Sequence, residues 1–356
     1  MSALPAEYPI EYPVLHPATW VVWVAGVVVA LTTTRNPWFV GTVLVLIGLV
    51  LVQQRRIAAA RTDVPVPAVE IGVIRFGLVV VTTSAVFNML MVHVGEHVLF
   101  TLPPFLPLVG GPVTLEALVF GVLNGLVLAG LFAAFSVLNR VLPVRSLLRL
   151  VPRAYYPAAV VMSIAVTFAP SALQQIQQVR EAQAVRGHRM VGVRSWLPLL
   201  VPLLEGSLER SMQLAEAMMA RGFAAGEAVV DRRPQLLMLG GMAAFLAGWL
   251  LRLGWQQEAA GWALLAGGTL LLLVGLWLAG RRHPHTVYRP DAWHWRDGVV
   301  IGAAVIAASA YVLPWPGLDR APLFYYPYPA LVWPELSVPI LLATLGLGAP
   351  LLTGVP

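Results

Sequence analysis

The sequence predicts an all-α polytopic membrane protein with about eight transmembrane helices. Hydrophobic residues make up 58% of its 356 residues and charged residues only 11%, whereas a soluble domain contains about 25% charged residues. Stretches of about 20 mostly apolar residues, the length that crosses a bilayer as a helix, recur along the chain. The lipid bilayer is therefore the first partner that the sequence predicts.

Eight apolar stretches are long enough to span a membrane. The first two are separated only by residues 35–37, and a proline at position 37 suits the first turn of a helix. We therefore predict that these two spans form an antiparallel hairpin. A ninth stretch, 337–353, is weaker because Pro339 and Pro350 interrupt it. The eight spans are 17–34, 37–54, 71–94, 113–138, 155–173, 235–253, 259–280 and 297–314.

The composition excludes several classes of chemistry. The chain has no cysteine, which excludes disulfides, thiolate zinc sites and cysteine nucleophiles. All 23 of its Lys-plus-Arg residues are arginine, so the chain lacks the lysine of a Walker-type ATPase. The net charge of +6 comes from arginines in loops between apolar spans. That pattern orients membrane proteins and does not predict a nucleic-acid partner.

The arginine-rich loops predict the orientation of the spans. The segment 174–233 is the richest in arginine and should be cytoplasmic by the positive-inside rule. The basic loop 281–296 follows two further spans, so it can lie on the same side. The arginines between 140 and 153 do not fit this alternation, because only the span 155–173 separates them from 174–233. Either that stretch is not a simple single crossing, or the 140–153 cluster violates the rule.

These observations divide the chain into four predicted segments. Residues 1–173 hold the N-terminal transmembrane helices, and residues 174–224 hold a pair of cytoplasmic helices. Residues 235–280 hold further transmembrane helices, and residues 281–356 form a C-terminal extension with one or two more spans. Within the extension, residues 314–336 are rich in proline and aromatic residues, which favours a location in the headgroup layer.

The predicted cytoplasmic segment contains a repeated motif. Residues 181–187 read Glu-Ala-Gln-Ala-Val-Arg-Gly, and residues 216–222 read Glu-Ala-Met-Met-Ala-Arg-Gly. The two arginines, Arg186 and Arg221, lie 35 residues apart. A run of helix-forming residues closed by Arg-Gly is typical of a helix that stops at the glycine. We therefore predict two short helices, each presenting one arginine at its C-terminal end.

The repeat has two interpretations. An arginine makes bidentate hydrogen bonds to carboxylates, and an adjacent glycine lets another backbone come close, so Arg-Gly suits docking onto a soluble protein. Alternatively, the arginines of two membrane-surface helices extend toward lipid phosphates. The second copy of the motif, and the Glu-Ala that precedes each arginine, favour docking.

The repeat resembles the transmembrane coupling (T) component of energy-coupling-factor (ECF) transporters, which are ABC importers of vitamins and metal ions. That family carries two Ala-Arg-Gly motifs at the ends of two coupling helices. The second copy here, Ala220-Arg221-Gly222, matches fully, whereas the first has Val185 in place of alanine. The dipeptide Asn36-Pro37 after the first span also resembles the family. The resemblance runs from about residue 15 to about residue 280, and not all members have the extension that follows.

The resemblance implies how the chain works. Arg186 and Arg221 would each enter a groove of one of two ABC ATPase subunits. ATP would be hydrolysed on those partners, and the motion would pass to a separate small substrate-binding membrane (S) component. The chain would be a multi-pass protein of the bacterial cell membrane, without catalytic residues, cofactor or metal. The predicted docking residues are Arg186, Gly187, Ala220, Arg221, Gly222, Ala184, Glu181 and Glu216.

Two other functions also fit parts of the sequence. Glu181-Ala182, followed by Gly187, approximates the EAA loop of an ordinary ABC importer permease, but that scheme has no place for the second Arg-Gly. The residues His93-Val94-Gly95-Glu96-His97 fit H-x-x-E-H, a zinc-hydrolase spacing that would place both histidines on one helix face. An intramembrane metal-dependent enzyme is therefore the third candidate.

Overall fold

A computed structural model describes most of the chain as helix. The described residues are 15–61, 69–103, 110–185, 197–223, 232–255, 257–281, 292–313 and 315–353. The helices are α1 Pro17–Thr33, α2 Pro37–Arg61, α3 Val69–Met91, α4 Leu115–Val141, α5 Val144–Leu148, α6 Tyr156–Val185, α7 Leu197–Ala220, α8 Arg232–Gly254, α9 Glu258–Gly280, α10 Trp295–Val312, α11 Val338–Leu345 and α12 Ala349–Thr353. Two short strands are β1 Val98–Thr101 and β2 Pro112–Thr114.

The all-α membrane fold is confirmed. Each of the eight predicted spans coincides with one helix, and seven of the described helices are long and apolar enough to cross a membrane. The eighth, α1, has 17 residues and is therefore about 26 Å long, close to the thickness of the hydrocarbon core. The weak ninth stretch is broken, as its prolines suggested, into α11, a 3₁₀ turn and α12.

The helices belong to two compact units. Unit 1 comprises residues 1–146 and 289–356, and unit 2 comprises residues 147–288. Unit 2 is therefore an insertion in the chain of unit 1. The C-terminal extension of the sequence analysis, 281–356, mostly belongs to unit 1 rather than forming a separate body.

Unit 1 has a buried core between the α1–α2 hairpin and the extension. Trp23 of α1 is fully buried, and its indole Nε1–H donates to the carbonyl oxygen of Leu347 at 2.7 Å. Phe39 of α2 contacts Tyr311 of α10 edge to face, with ring centroids 6.4 Å apart. The α-carbon of Gly26 lies so close to α10 that an added Cβ would be 3.3 Å from the Cβ of Ala304. Large side chains therefore fill this core, and a glycine allows the helices to meet.

A second pair of helices in unit 1, α3 and α4, packs through glycines. An added Cβ at Gly121 would lie 2.7 Å from the Cα of Ala85, and one at Gly125 would lie 2.6 Å from the Cα of Val81. Only glycine permits this distance between two helix backbones. The antiparallel pair β1–β2 forms part of the connection between α3 and α4.

Unit 2 contains the region around the predicted docking motifs. Helix α6 is continuous for 30 residues and includes Pro170, so the predicted span 155–173 and the first polar helix are one element. It is about 45 Å long, and no residue in it is buried. The hairpin α8–α9 meets through glycines, because an added Cβ at Gly268 would be 2.6 Å from the backbone nitrogen of Phe245.

Candidate docking site

The second Arg-Gly copy ends α7 as the sequence predicts. Gly222 has φ +74°, the left-handed conformation that favours glycine. Its N–H donates to the Met219 carbonyl oxygen at 2.9 Å, and the Phe223 N–H donates to the Met218 carbonyl oxygen at 3.0 Å. These two bonds form a Schellman motif, with Gly222 just beyond the last helical residues. Arg221 is thereby fixed at the tip of α7.

The tip of α7 is open to a partner. Ala220, Arg221 and Gly222 are all exposed, and an added Cβ at Gly222 would meet no atom within 4 Å. Glu216 lies just over one turn earlier and is also exposed. Within the part of the chain that is described, the Arg221 guanidinium has no hydrogen bond or ion pair, including with Glu216. A cationic fork with unused donors suits a carboxylate or a carbonyl-lined groove.

The first Arg-Gly copy is described only in part. Glu181 and Ala184 lie exposed in the last turns of α6, which ends at Val185. The Val185 side chain is 90% exposed. Arg186 and Gly187 lie outside the described residues. Both copies of the motif therefore begin on a helix that ends one residue before its arginine.

Helix α7 carries three chemically different faces. One face, at helical spacing, is partly covered and includes Gly206, where the amide of Gln175 from α6 lies against the glycine. The opposite face is apolar and exposed, and a third face is acidic and exposed. The apolar face consists of Val201, Leu204, Leu208, Met212 and Met219, and the acidic face of Glu205, Glu209 and Glu216. Each face suits a different neighbour, and α6 accounts for only one of them.

The helix that the third candidate function requires at His93 and His97 is not formed. Helix α3 ends at Met91, and residues 92–97 continue as an extended loop in which Gly95 has φ +152°. His97 Nδ1 lies 2.7 Å from Glu116 Oε1, in an ion pair or hydrogen bond with that buried carboxylate. Among the described residues, no group of three His, Asp, Glu or Cys side chains could hold a metal. The His97–Glu116 pair fastens the α3–α4 loop to the start of α4.

Two buried polar residues of unit 1 were missed by sequence reasoning. Asn36, within a dipeptide already quoted for the family resemblance, is fully buried and donates to the carbonyl oxygens of Pro322 and Glu335. Asp297, near the start of α10, is also fully buried. The available signal was a polar side chain at the end of an apolar span, because such a group must find partners inside the protein.

A family model described as a cobalt transport protein, CbiQ, matches residues 13–231. The match covers α1 to α7 and includes both Arg-Gly copies. It ends directly before α8, whereas the resemblance was expected to continue to about residue 280. Helices α8 to α12 therefore lie beyond the matched segment.

Several curated relatives carry the name energy-coupling factor transporter transmembrane protein EcfT. That of Thermosediminibacter oceani is 32% identical over 120 residues, which cover 31% of this chain and 45% of the relative. That of Bacillus selenitireducens is 39% identical over 75 residues, 19% of this chain and 28% of the relative. That of Bacillus subtilis is 36% identical over 75 residues, again 19% and 28%. This chain spans less than half the length of each of these relatives.

Proposed function

We propose a coupling role for α6 and α7, on the premise that the chain belongs to the CbiQ family and is a transmembrane T component of an energy-coupling-factor transporter. The chain is a multi-pass protein of the bacterial cell membrane and a transporter component. In this role, Arg186 and Arg221 each anchor one of two ATPase subunits. The closing of those subunits on ATP moves the helices and, through them, a separate small substrate-binding membrane protein.

The exposed tip of α7 carries this proposal. The Schellman motif holds Arg221 at the end of a 24-residue helix, so a force applied at the arginine acts on the whole element. Gly222 supports the proposal because its left-handed backbone leaves open space beside the arginine. Glu181, Ala184 and Glu216 form the exposed last turns that would line the contact.

The orientation of α6 follows from the arginines. If α6 lies along the cytoplasmic side instead of crossing, the arginines of 140–153 and of 174–233 share one side of the membrane, as the positive-inside rule requires. The polar half of α6, from Gln174 to Glu181, supports this placement. We therefore assign α6 and α7 to the cytoplasmic side, where ATPase subunits are available.

The cargo follows from the family, not from a site in this chain. The family description names cobalt, which supports a metal ion, and a vitamin is the other class that the resemblance allows. In this proposal the S component binds the cargo. Uptake assays with cobalt and with a panel of vitamins, in cells that also contain the S component, would show which of the two classes of cargo is transported.

The docking role is tested by the double variant Arg186→Ala, Arg221→Ala. We expect the protein to insert normally but to lose its ATPase subunits on gentle purification, with loss of uptake. Arg180→Ala is the matched control, because Arg180 is an exposed arginine of α6 outside the motif. A complete complex and normal uptake in the double variant would contradict the proposal.

Native mass spectrometry of the wild-type complex tests the competing permease function. One copy of this chain with two ATPase subunits and one small membrane protein supports the coupling role. Two copies with two ATPase subunits would indicate an ordinary permease half, in which the Glu181-Ala182 region is an EAA loop.

A further inference from the structure

The extension lies beyond the family-matched segment, yet it contacts the part of the chain where that match begins. We call residues 292–353, which include α10, α11 and α12, the brace. Its contacts with α1 and α2 occur at three levels along α1, at its start, at its middle and at the α1–α2 link. Each level combines a buried polar contact with apolar packing.

At the start of α1, the fully buried carboxylate of Asp297 connects the first turn of α10 to the first turn of α1. Its Oδ1 accepts from the His16 backbone N–H at 2.7 Å and from the Thr19 hydroxyl at 2.8 Å. Its Oδ2 accepts from the His294 N–H at 2.8 Å. The rings of His16 and Trp293 stack with centroids 4.0 Å apart. A buried carboxylate with three donors is costly to separate from them.

At the middle of α1, the contact is apolar and close. Trp23 is fully buried and donates to the Leu347 carbonyl oxygen. Gly26 lies against Ala304, and an added Cβ at Gly26 would also come within 3.4 Å of the Leu347 side chain. At this level the backbones of α1 and α10 are in near contact.

At the α1–α2 link, one side chain closes a loop of the brace. The Asn36 amide nitrogen donates at 2.8 Å to the carbonyl oxygens of Pro322 and of Glu335, which lie 13 residues apart in the chain. The Thr34 hydroxyl donates to the Leu323 carbonyl oxygen at 2.8 Å. Both amide hydrogens of Asn36 are therefore used, in a fully buried position.

The same loop of the brace reaches the α3–α4 connection. The Glu96 backbone N–H donates to the Pro329 carbonyl oxygen at 3.1 Å. The rings of Phe120, Tyr326 and Tyr328 form a cluster, in which the Phe120 centroid is 5.7 Å from that of Tyr326 and 5.5 Å from that of Tyr328. Burial raises the pKa of Tyr328 to about 12, with the charges of Tyr326 and Glu116 adding to the effect.

We infer that the brace packs permanently against the α1–α2 hairpin, so that the two move as one rigid body throughout transport. Buried polar contacts at both ends and a close helix contact between them make separation at any level costly. The brace therefore holds the hairpin still while the cytoplasmic helices move. The uptake readout of the first test below rests on the proposed function, whereas the second test rests only on assembly of the chain with its ATPase subunits and not on uptake.

A disulfide between α1 and α10 tests this rigidity. The chain has no cysteine, so the variant Gly26→Cys, Ala304→Cys carries only the new pair. The two Cβ atoms would lie 3.3 Å apart, close to the ~3.5–4.5 Å range of disulfides. We expect uptake by the oxidised protein to equal that of the same protein after reduction. Uptake that is lost on oxidation and recovered on reduction would overturn the inference.

The pair Gly77→Cys, Ala129→Cys is the matched control, with a Cβ separation of 3.3 Å between α3 and α4. It shows whether a disulfide within the membrane is itself tolerated. If the reduced forms of both pairs fail to transport while the cysteine-free protein succeeds, the substitutions are at fault. If the cysteine-free protein does not transport with its ATPases and S component, the proposed function fails instead.

A distance measurement tests the inference without transport. Spin labels at Val21 of α1 and Leu342 of α11 use positions that are exposed. We expect the same distance distribution with and without ATP bound to the assembled complex. A shift of more than about one helical turn, ~5 Å, would show that the brace and the hairpin separate and would overturn the inference.

Discussion

The two units of this protein are built in opposite ways. Unit 1 holds every one of the largest fully buried side chains of the described residues, among them Trp23, Phe39 and Tyr311. In the described part of unit 2, the only large hydrophobic side chain that is buried is Leu265, and no residue of α6 is buried. Unit 1 therefore has a buried core of its own, whereas the described part of unit 2 leaves nearly all of its large apolar side chains to lipid or to other proteins.

This difference supports the proposal that the two units have different tasks. Interior residues that fill space and use their hydrogen bonds hold helices in one arrangement. Exposed helices with separate apolar and acidic faces, such as α7, gain their contacts from partners. The family match spans part of both units, so it does not by itself distinguish scaffold from docking surface. The distribution of buried side chains does.

The largest expected effect separates the two units directly. Replacing Trp23 by alanine removes a fully buried indole and its hydrogen bond, and we expect a loss of about 3–5 kcal/mol in the free energy of unfolding. Replacing Trp262 of α9, which is 56% exposed, should change it little. Thermal unfolding in detergent measures both. If both variants lose the same free energy of unfolding, unit 1 does not depend on its buried core more than unit 2 depends on its exposed side chains.

A smaller effect is expected at Asn36. The variant Asn36→Asp has nearly the same shape but faces the Pro322 and Glu335 carbonyl oxygens with an acceptor instead of two donors. We expect roughly 3 kcal/mol of destabilisation, measured by the same unfolding assay. Asn36→Ala, which removes the donors without adding charge, should cost less. If both variants unfold like the wild type, the α1–α2 link does not depend on this amide.

A prediction in unit 2 sharpens the comparison, because α8 and α9 of this unit are in close contact. In Gly268→Leu the new side chain meets the backbone of Phe245 and Gly241, and we expect a loss of about 1–3 kcal/mol in the free energy of unfolding. The adjacent Gly267→Leu is the control, since its added Cβ meets no atom within 4 Å. If both variants unfold at the same temperature, the α8–α9 contact does not stabilise the unit.

The smallest effect is expected at the tip of α7. In Gly222→Ala the left-handed backbone, φ +74°, carries a Cβ at a cost of about 1 kcal/mol. We expect ATPase attachment to weaken several-fold, while the free energy of unfolding of the chain falls by no more than that ~1 kcal/mol. Gly254→Ala, at the end of α8, is the control. Unchanged ATPase affinity in Gly222→Ala would show that the Schellman motif does not position Arg221.

The positions of the helices were easier to predict from the sequence than the contacts between them. Apolar length alone located a helix at each of the eight predicted spans, because a membrane helix must satisfy its backbone hydrogen bonds internally. The Ala220-Arg221-Gly222 stop was also predictable, since a left-handed residue is nearly always glycine. The H-x-x-E-H pattern supports only an alternative function, and its helical spacing does not apply because α3 ends at Met91, before the motif.

The rest depends on contacts between distant residues. Asn36 and Pro322 are separated by 286 residues, and no local pattern connects them. The division at 173/174 also failed as a structural boundary, because α6 passes through it without interruption. The change there is one of polarity along a single helix, which a hydropathy pattern interprets as the end of an element.

The insertion of unit 2 within unit 1 has a consequence for biosynthesis. The chain leaves unit 1 at residue 146 and returns at residue 289, so the 142 residues from 147 to 288 are translated in between. At about 5–20 residues per second, that takes roughly 7–28 seconds. During that interval the α1–α2 hairpin is already in the bilayer, with Trp23 and Asn36 lacking their C-terminal partners. We therefore expect the newly inserted protein to be a substrate for membrane proteases and insertion chaperones until the whole brace has been translated.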